Sequence, residues 1–147
     1  MTAADVLALR AEVLRPGQPL EASAYPTDDH PATGHFGGWD GDDLVAVASV
    51  ALGRFQTDVR TRVDWTPTWR LRGMAVAADR RGQGLGGEVL EAVHRHVEDS
   101  GHDGLWANAR LPAVPFYERH GWRVVSEEFE IPSIGPHHVM VRRTPPV

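Results

Sequence analysis

Residues 74–90 read "MAVAADRRGQGLGGEVL", and Gly82, Gly84, Gly86 and Gly87 crowd the passage from an apolar run into a helical pattern. A strand feeding a helix through such a loop needs a sheet to carry it, and its backbone amides can approach a ligand closely. Two anion-binding patterns fit these residues. Gly82-Gln83-Gly84-Leu85-Gly86-Gly87 satisfies the dinucleotide fingerprint G-x-G-x-x-G, and Arg81-x-x-Gly84-x-Gly86 satisfies another. In either reading the helix N-terminus favours an anion, by up to about 1 kcal/mol at an exposed site. A glycine-rich helix entry with no ligand would look the same.

Context argues against the dinucleotide reading. That unit closes its next strand with an acidic residue, roughly 20 residues after the glycines. Asp103 lies near that distance but precedes the strand "LWANAR", which ends in Ala109 and Arg110. A P-loop would need Gly-Lys-Ser/Thr, which is absent.

The rest of the chain bounds the function. At 147 residues it reads as a single domain, large enough to bury a core without disulfides or metals. A net charge of −5 argues against nucleic acid as a partner, because phosphate binding needs a basic field. The absence of cysteine excludes disulfides, cysteine-ligated zinc and thiol catalysis. "MTAADVLALRAEVLRPG" lacks a basic stretch leading into an apolar one, and no run reaches the ~18 apolar residues of a membrane span. The expectation is a cytoplasmic protein with no membrane partner.

Periodicity predicts a helix over 5–14 and a long loop over 16–34 with room for one helical turn. Strands follow at 35–39 and 44–52, around a turn at Asp40-Gly41-Asp42-Asp43. The next strand is 69–76, where Gly73 suggests a bulge. From Gly84, the residues Leu85, Val89, Leu90, Val93 and Val97 form one helical face, closed by Gly101. A strand at 105–109 and a short helix within 112–122 lead to two strands, "RVVSEEFEI" and "HHVMVRR".

With these residues in place, the chain resembles the GCN5-related N-acetyltransferase (GNAT) superfamily over most of residues 35–142. "LRGMAVAADRRGQGLGGEVL" is similar to that family's acyl-CoA site, and "LWANARLPAVPFYERHGW" to the strand and helix that follow. "LRPGQPLEASAYP" resembles poorly characterised bacterial members. The resemblance implies a single-domain α/β (α+β) fold with a mixed, mostly antiparallel sheet. In it, the strands near 69–76 and 105–109 splay into a V that takes the pantetheine arm of acetyl-CoA or a related acyl-CoA.

It further implies that Met74, Ala75 and Val76 line that arm, with the backbones of Met74 and Val76 pairing to it. Arg81, Gly82, Gln83, Gly84, Leu85 and Gly86 would cradle the pyrophosphate, and Asn108, Phe116 and Tyr117 complete the cofactor site. Most members begin with a strand before the first helix; this chain starts almost at the helix. His120 replaces the apolar residue usual before the glycine.

Acyl transfer to an amine needs a neutral amine, a polarised carbonyl and a proton for the departing thiolate. Tyr117 occupies the position that commonly protonates the sulfur in this family, although packing of the helix on the sheet would also explain it. Base candidates are Glu128, Glu130 and His137, with His35 and Asp64 also in the acceptor half; a water chain could serve instead. His137 and His138, adjacent in a strand, point to opposite faces, so no metal is expected. Asp28, Asp29, Asp64 and Glu127 could line an acceptor site suited to a cationic amine.

The implied function is N-acyl transfer from acetyl-CoA to a primary amine by direct attack in a ternary complex. The acceptor would be a small molecule or a peptide or protein amine, and a homodimer is compatible with the family. A catalytically silent acyl-CoA-binding sensor or interaction module is the alternative.

Overall fold

The structure, a computed structural model, describes residues 1–101 and 104–143, so Asp103 lies outside the described residues. Three helices, α1 (Ala3–Leu14), α2 (Leu85–Asp99) and α3 (Val114–Arg119), flank a mixed, mostly antiparallel sheet of seven strands. The strands are β1 (Gly34–Asp40), β2 (Asp43–Leu52), β3 (Trp69–Val76), β4 (Leu105–Arg110), β5 (Arg123–Val124), β6 (Phe129–Ile131) and β7 (Gly135–Arg142). A 3₁₀ turn over Leu20–Ser23 occupies the long loop, as its length allowed.

The chain groups into two compact units, the first Met1–Leu52 and Leu71–His96, the second Gly53–Arg70 and Val97–Val147. In the first, a capping box starts α1: the Thr2 hydroxyl accepts from the Asp5 amide, and the Asp5 carboxylate accepts from the Thr2 amide. Val6 and Leu9 then pack on Val47 and Ala75. Strand β2 is buried without interruption from Val45 to Ala51, which marks it as interior rather than half-exposed. Its partner β1 runs antiparallel, with a register shift at Gly38/Trp39. A Cβ on Gly38 would stand 3.0 Å from Val89 and 3.3 Å from Ala46, so this glycine lets α2 close on the sheet.

In the second unit β4 pairs antiparallel with β7 from Leu105↔Arg142 to Arg110↔His137. It pairs in parallel with the start of β3 only at Trp69↔Leu105 and Arg70↔Trp106, a ladder that stops while β4 runs on to Arg110. Trp106, Val125, Val139 and Val141 form the core here, with Phe55, Val59, Val63 and Trp65 packed against it.

One expected strand is broken. "RVVSEEFEI" forms β5, then a single bridge from Ser126 to Thr61, then β6. Ser126 explains the break: its hydroxyl accepts from the Val139 amide at 2.8 Å and donates to the Glu127 carbonyl at 2.8 Å. A side chain that bonds backbone in this way competes with the ladder.

Candidate active site

The glycine loop belongs to the first unit. Arg81, Gly82, Gln83 and Gly84 are exposed, and α2 begins at Leu85, with Gly84 accepting the first helical bond from the Glu88 amide at 3.1 Å. Gly82 and Gly84 hold φ of 86° and 80°, a left-handed conformation that glycine adopts without penalty. Nothing stands within 4 Å of where a Cβ would be on either. These glycines are therefore not explained by crowding. What needs them is the left-handed turn itself, exposed between Arg81 and the start of α2, an arrangement that fits a pyrophosphate. Leu85 is half-buried and Gly86 buried in the first turn.

In β3, Ala75 is buried against α1, whereas Met74 and Val76 are only partly buried. Alternation thus leaves Met74 and Val76 together on the face away from that core. Gly73, expected at a bulge, has φ 65°. A Cβ there would lie 2.6 Å from Arg10 Nε, so both its backbone and the space beside it demand glycine.

The other cofactor candidates lie in the second unit. Asn108 is tied to Gln56 through both amides: Gln56 Nε2 donates to Asn108 Oδ1 at 2.7 Å, and Asn108 Nδ2 donates to Gln56 Oε1 at 3.2 Å. Gln56 escaped the sequence reading, because nothing in the irregular 53–67 segment marks one polar residue over another. Tyr117 is buried on α3, its ring 5.3 Å from Phe116 and 5.2 Å from Trp122. Its hydroxyl has no hydrogen-bond partner among the described residues. Burial pushes its pKa well above the ordinary value of 10.0, so the phenol keeps its proton through neutral and alkaline pH. His120 caps α3, with its ring 5.1 Å from Phe116 and its carbonyl accepting from Arg142.

The base candidates separate. Glu128 and Glu130 are exposed, and because the strand is broken only Glu130 lies in β6. His137 is buried, and its Nδ1 lies 2.7 Å from the Gly135 carbonyl. Since a carbonyl can only accept, Nδ1 carries the proton and Nε2 keeps its lone pair. Desolvation lowers the His137 pKa, with the neighbouring Arg110 charge acting the same way and the Gly135 hydrogen bond and Glu130 opposing them. It is therefore a neutral imidazole at physiological pH. His138 bonds the Ser126 carbonyl instead. Among the described residues no group of three or more His, Cys, Asp or Glu is placed to hold a metal ion. No described helix is long and apolar enough to cross a membrane.

Two acceptor-side expectations change. Asp28 is buried in a network, not lining an acidic surface. Arg10 donates to its carboxylate at 2.8 and 3.3 Å, to the Ser23 carbonyl at 2.8 Å and to Ser49 Oγ at 2.8 Å. The Tyr25 amide donates to Asp28 at 2.9 Å. Burial alone would raise the Asp28 pKa, but Arg10 and the Tyr25 amide outweigh it and hold the carboxyl below its usual 3.8. His35 is also enclosed, between Ser49 Oγ at 2.7 Å and the Asp28 carbonyl at 2.9 Å, and is withdrawn from any role as base. Sequence alone offered no signal pairing Arg10 with Asp28, eighteen residues apart across a proline-rich loop.

The chain matches the acetyltransferase (GNAT) family over residues 4–122. It is 30% identical over 138 residues to the uncharacterized N-acetyltransferase YitI of Bacillus subtilis (strain 168), a match covering 94% of this chain and 89% of that protein. YjcF of the same organism, also an uncharacterized N-acetyltransferase, is 36% identical over 73 residues, covering 50% and 52%. Among solved structures, Escherichia coli ElaA is similar at a TM-score of 0.71 and 22% identity, covering 93% of this chain and 86% of that one. An aminoglycoside 6'-N-acetyltransferase complexed with coenzyme A is similar at a TM-score of 0.67 and 17% identity, covering 95% and 89%.

Proposed function

We propose that this chain, which belongs to the acetyltransferase (GNAT) family and is an acyl-CoA-dependent N-acetyltransferase, moves acetyl from acetyl-CoA to a primary amine by direct attack. The observation that carries the reading is the open glycine loop, Arg81-x-x-Gly84-x-Gly86, at the start of α2 within the matched family region. Arg81 and the amides from Gly82 to Gly86 hold the pyrophosphate, and the partly buried Met74–Val76 strand lines the pantetheine arm. The thioester supplies an acyl carbon activated by a sulfur leaving group.

In the transfer, the amine nitrogen forms the C–N bond, the C–S bond breaks and the amine gives up a proton. Tyr117 holds the proton that the departing sulfur needs. Burial keeps the Tyr117 phenol protonated, so the proton is in place when the sulfur departs. His137, neutral and with Nε2 unprotonated, is a better-prepared base than exposed Glu128 or Glu130, and water can relay the amine proton. Asn108 is positioned by Gln56.

The test is an amine panel followed by release of free CoA. The chain contains no lysine, so self-acetylation of its own side-chain amines cannot mimic turnover. Release that depends on a particular amine is the expected result. Tight acetyl-CoA binding with no release for any amine would instead identify a silent acyl-CoA sensor.

A further inference from the structure

Arg72 differs from the other well-placed guanidinium groups of the first unit. Arg10 is closed by Asp28, Ser49 and the Ser23 carbonyl, and Arg80 meets Asp40, Asp43 and Asp79. Arg72 projects from β3, half-buried, with its guanidinium carbon 3.8 Å from the centroid of the Tyr25 ring. Among the described residues, no carboxylate or carbonyl oxygen meets it within hydrogen-bond distance.

Its charged surroundings are mixed. The groups that act on it are Tyr25, Arg10, Asp28 and Arg15, and Asp28 is already engaged by Arg10. Burial, the largest influence, lowers the Arg72 pKa, and Arg10 and Arg15 push the same way, whereas Tyr25 and Asp28 oppose them. A partly desolvated guanidinium without an anion loses hydration and gains no ion pair in return. The aromatic ring orients it: Tyr25 is anchored through its amide to Asp28 and also lies 4.1 Å from the Arg10 guanidinium carbon. One residue, Gly73, separates Arg72 from Met74 in β3, so an anion on Arg72 sits next to the part of the strand assigned to the acyl arm.

We propose that Arg72, backed by Tyr25, is the acceptor's anion subsite, and that the amine accepted carries a carboxylate, as an amino acid does. A planar guanidinium receives a carboxylate through two parallel N–H bonds, and one fork matches one singly charged anion. The proposal rests on the N-acetyl transfer reading above and replaces the cationic acceptor that the acidic composition had suggested.

The test compares L-amino acids with their C-terminal amides in two measurements, free-CoA release with acetyl-CoA present and calorimetric binding. Acids should exceed amides by roughly 10–150-fold in kcat/KM and in affinity, the worth of a charged hydrogen bond. Arg72→Gln should collapse that ratio while leaving acetyl-CoA affinity unchanged. Arg72→Met, which keeps an apolar stem over Tyr25, should do the same and serves if the glutamine variant fails to fold. Amides equal to acids in the unmodified protein, or a ratio unaltered in a folded variant, would overturn the subsite. Acids that bind through Arg72 with no CoA release for any amine would uphold the subsite and sink the transfer reading.

Discussion

The first unit contains two polar constellations that treat their hydrogen bonds in opposite ways. Around Arg10, the Asp28 carboxylate, Ser49, His35 and the Ser23 carbonyl bond one another in a buried cluster, with only Arg10 Nε left without a partner among its guanidinium nitrogens. In the loop from Arg81 to Gly84, all four residues are exposed, and nothing stands within 4 Å of where a Cβ would be on Gly82 or Gly84. The closed network ties α1, the long loop and β2 to one another, whereas the open groups are those that the proposed reading gives to a ligand. Arg72 and the Tyr117 hydroxyl belong with the open set, although both are at least partly buried.

The largest effect should come from breaking the closed network. Asp28→Asn leaves the buried Arg10 charge uncompensated, which should cost about 3–5 kcal/mol of stability and lower the melting temperature by roughly 6–20 °C. The pH dependence follows from the lowered carboxyl pKa. Its contribution is fully present above the unfolded value near 3.8 and is lost as pH falls through the lower folded value. Acid unfolding should therefore lose part of its steepness below pH ~4 in Asp28→Asn, as followed by circular dichroism. A melting temperature within 2 °C of the parent, roughly half a kcal/mol, would mean that the network is not holding the fold.

Tyr117→Phe tests an open group at similar scale but in activity instead of stability. Phenylalanine retains the ring contacts with Phe116 and Trp122, and the hydroxyl it deletes has no partner among the described residues. Turnover should fall by roughly 10²–10⁴-fold, with melting temperature and acetyl-CoA affinity little changed. Because burial raises the Tyr117 pKa, the unmodified enzyme should show no alkaline loss of rate attributable to this tyrosine below about pH 10. Near-normal turnover in the variant would reduce Tyr117 to packing.

Much of the fold was legible because strong local signals agreed with tertiary structure. The strand at 69–76 and the helix face of Leu85, Val89, Leu90 and Val93 formed where periodicity put them. The loop glycines were legible for the same reason, since two of them adopt a conformation other residues avoid. The break at Ser126 was not, because an alternating apolar pattern does not reveal a hydroxyl that outcompetes the ladder. Nor were the partners of Asp28 and Asn108 visible. Arg10–Asp28 and Gln56–Asn108 are long-range side-chain pairings, and a lone charge or amide in a sequence does not say whether it will be closed or left open.

The contrast between closed and open groups is tested most directly by calorimetry of Arg81→Ala with two ligands, acetyl-CoA and an acetylated pantetheine thioester lacking the pyrophosphate. Arg81 is exposed, so melting should change little, whereas a lost charged hydrogen bond should weaken acetyl-CoA binding by about 1.5–3 kcal/mol. The truncated thioester should bind the variant and the parent alike. Equal losses for both ligands, or none for acetyl-CoA in a folded variant, would contradict the assignment of this loop to the pyrophosphate.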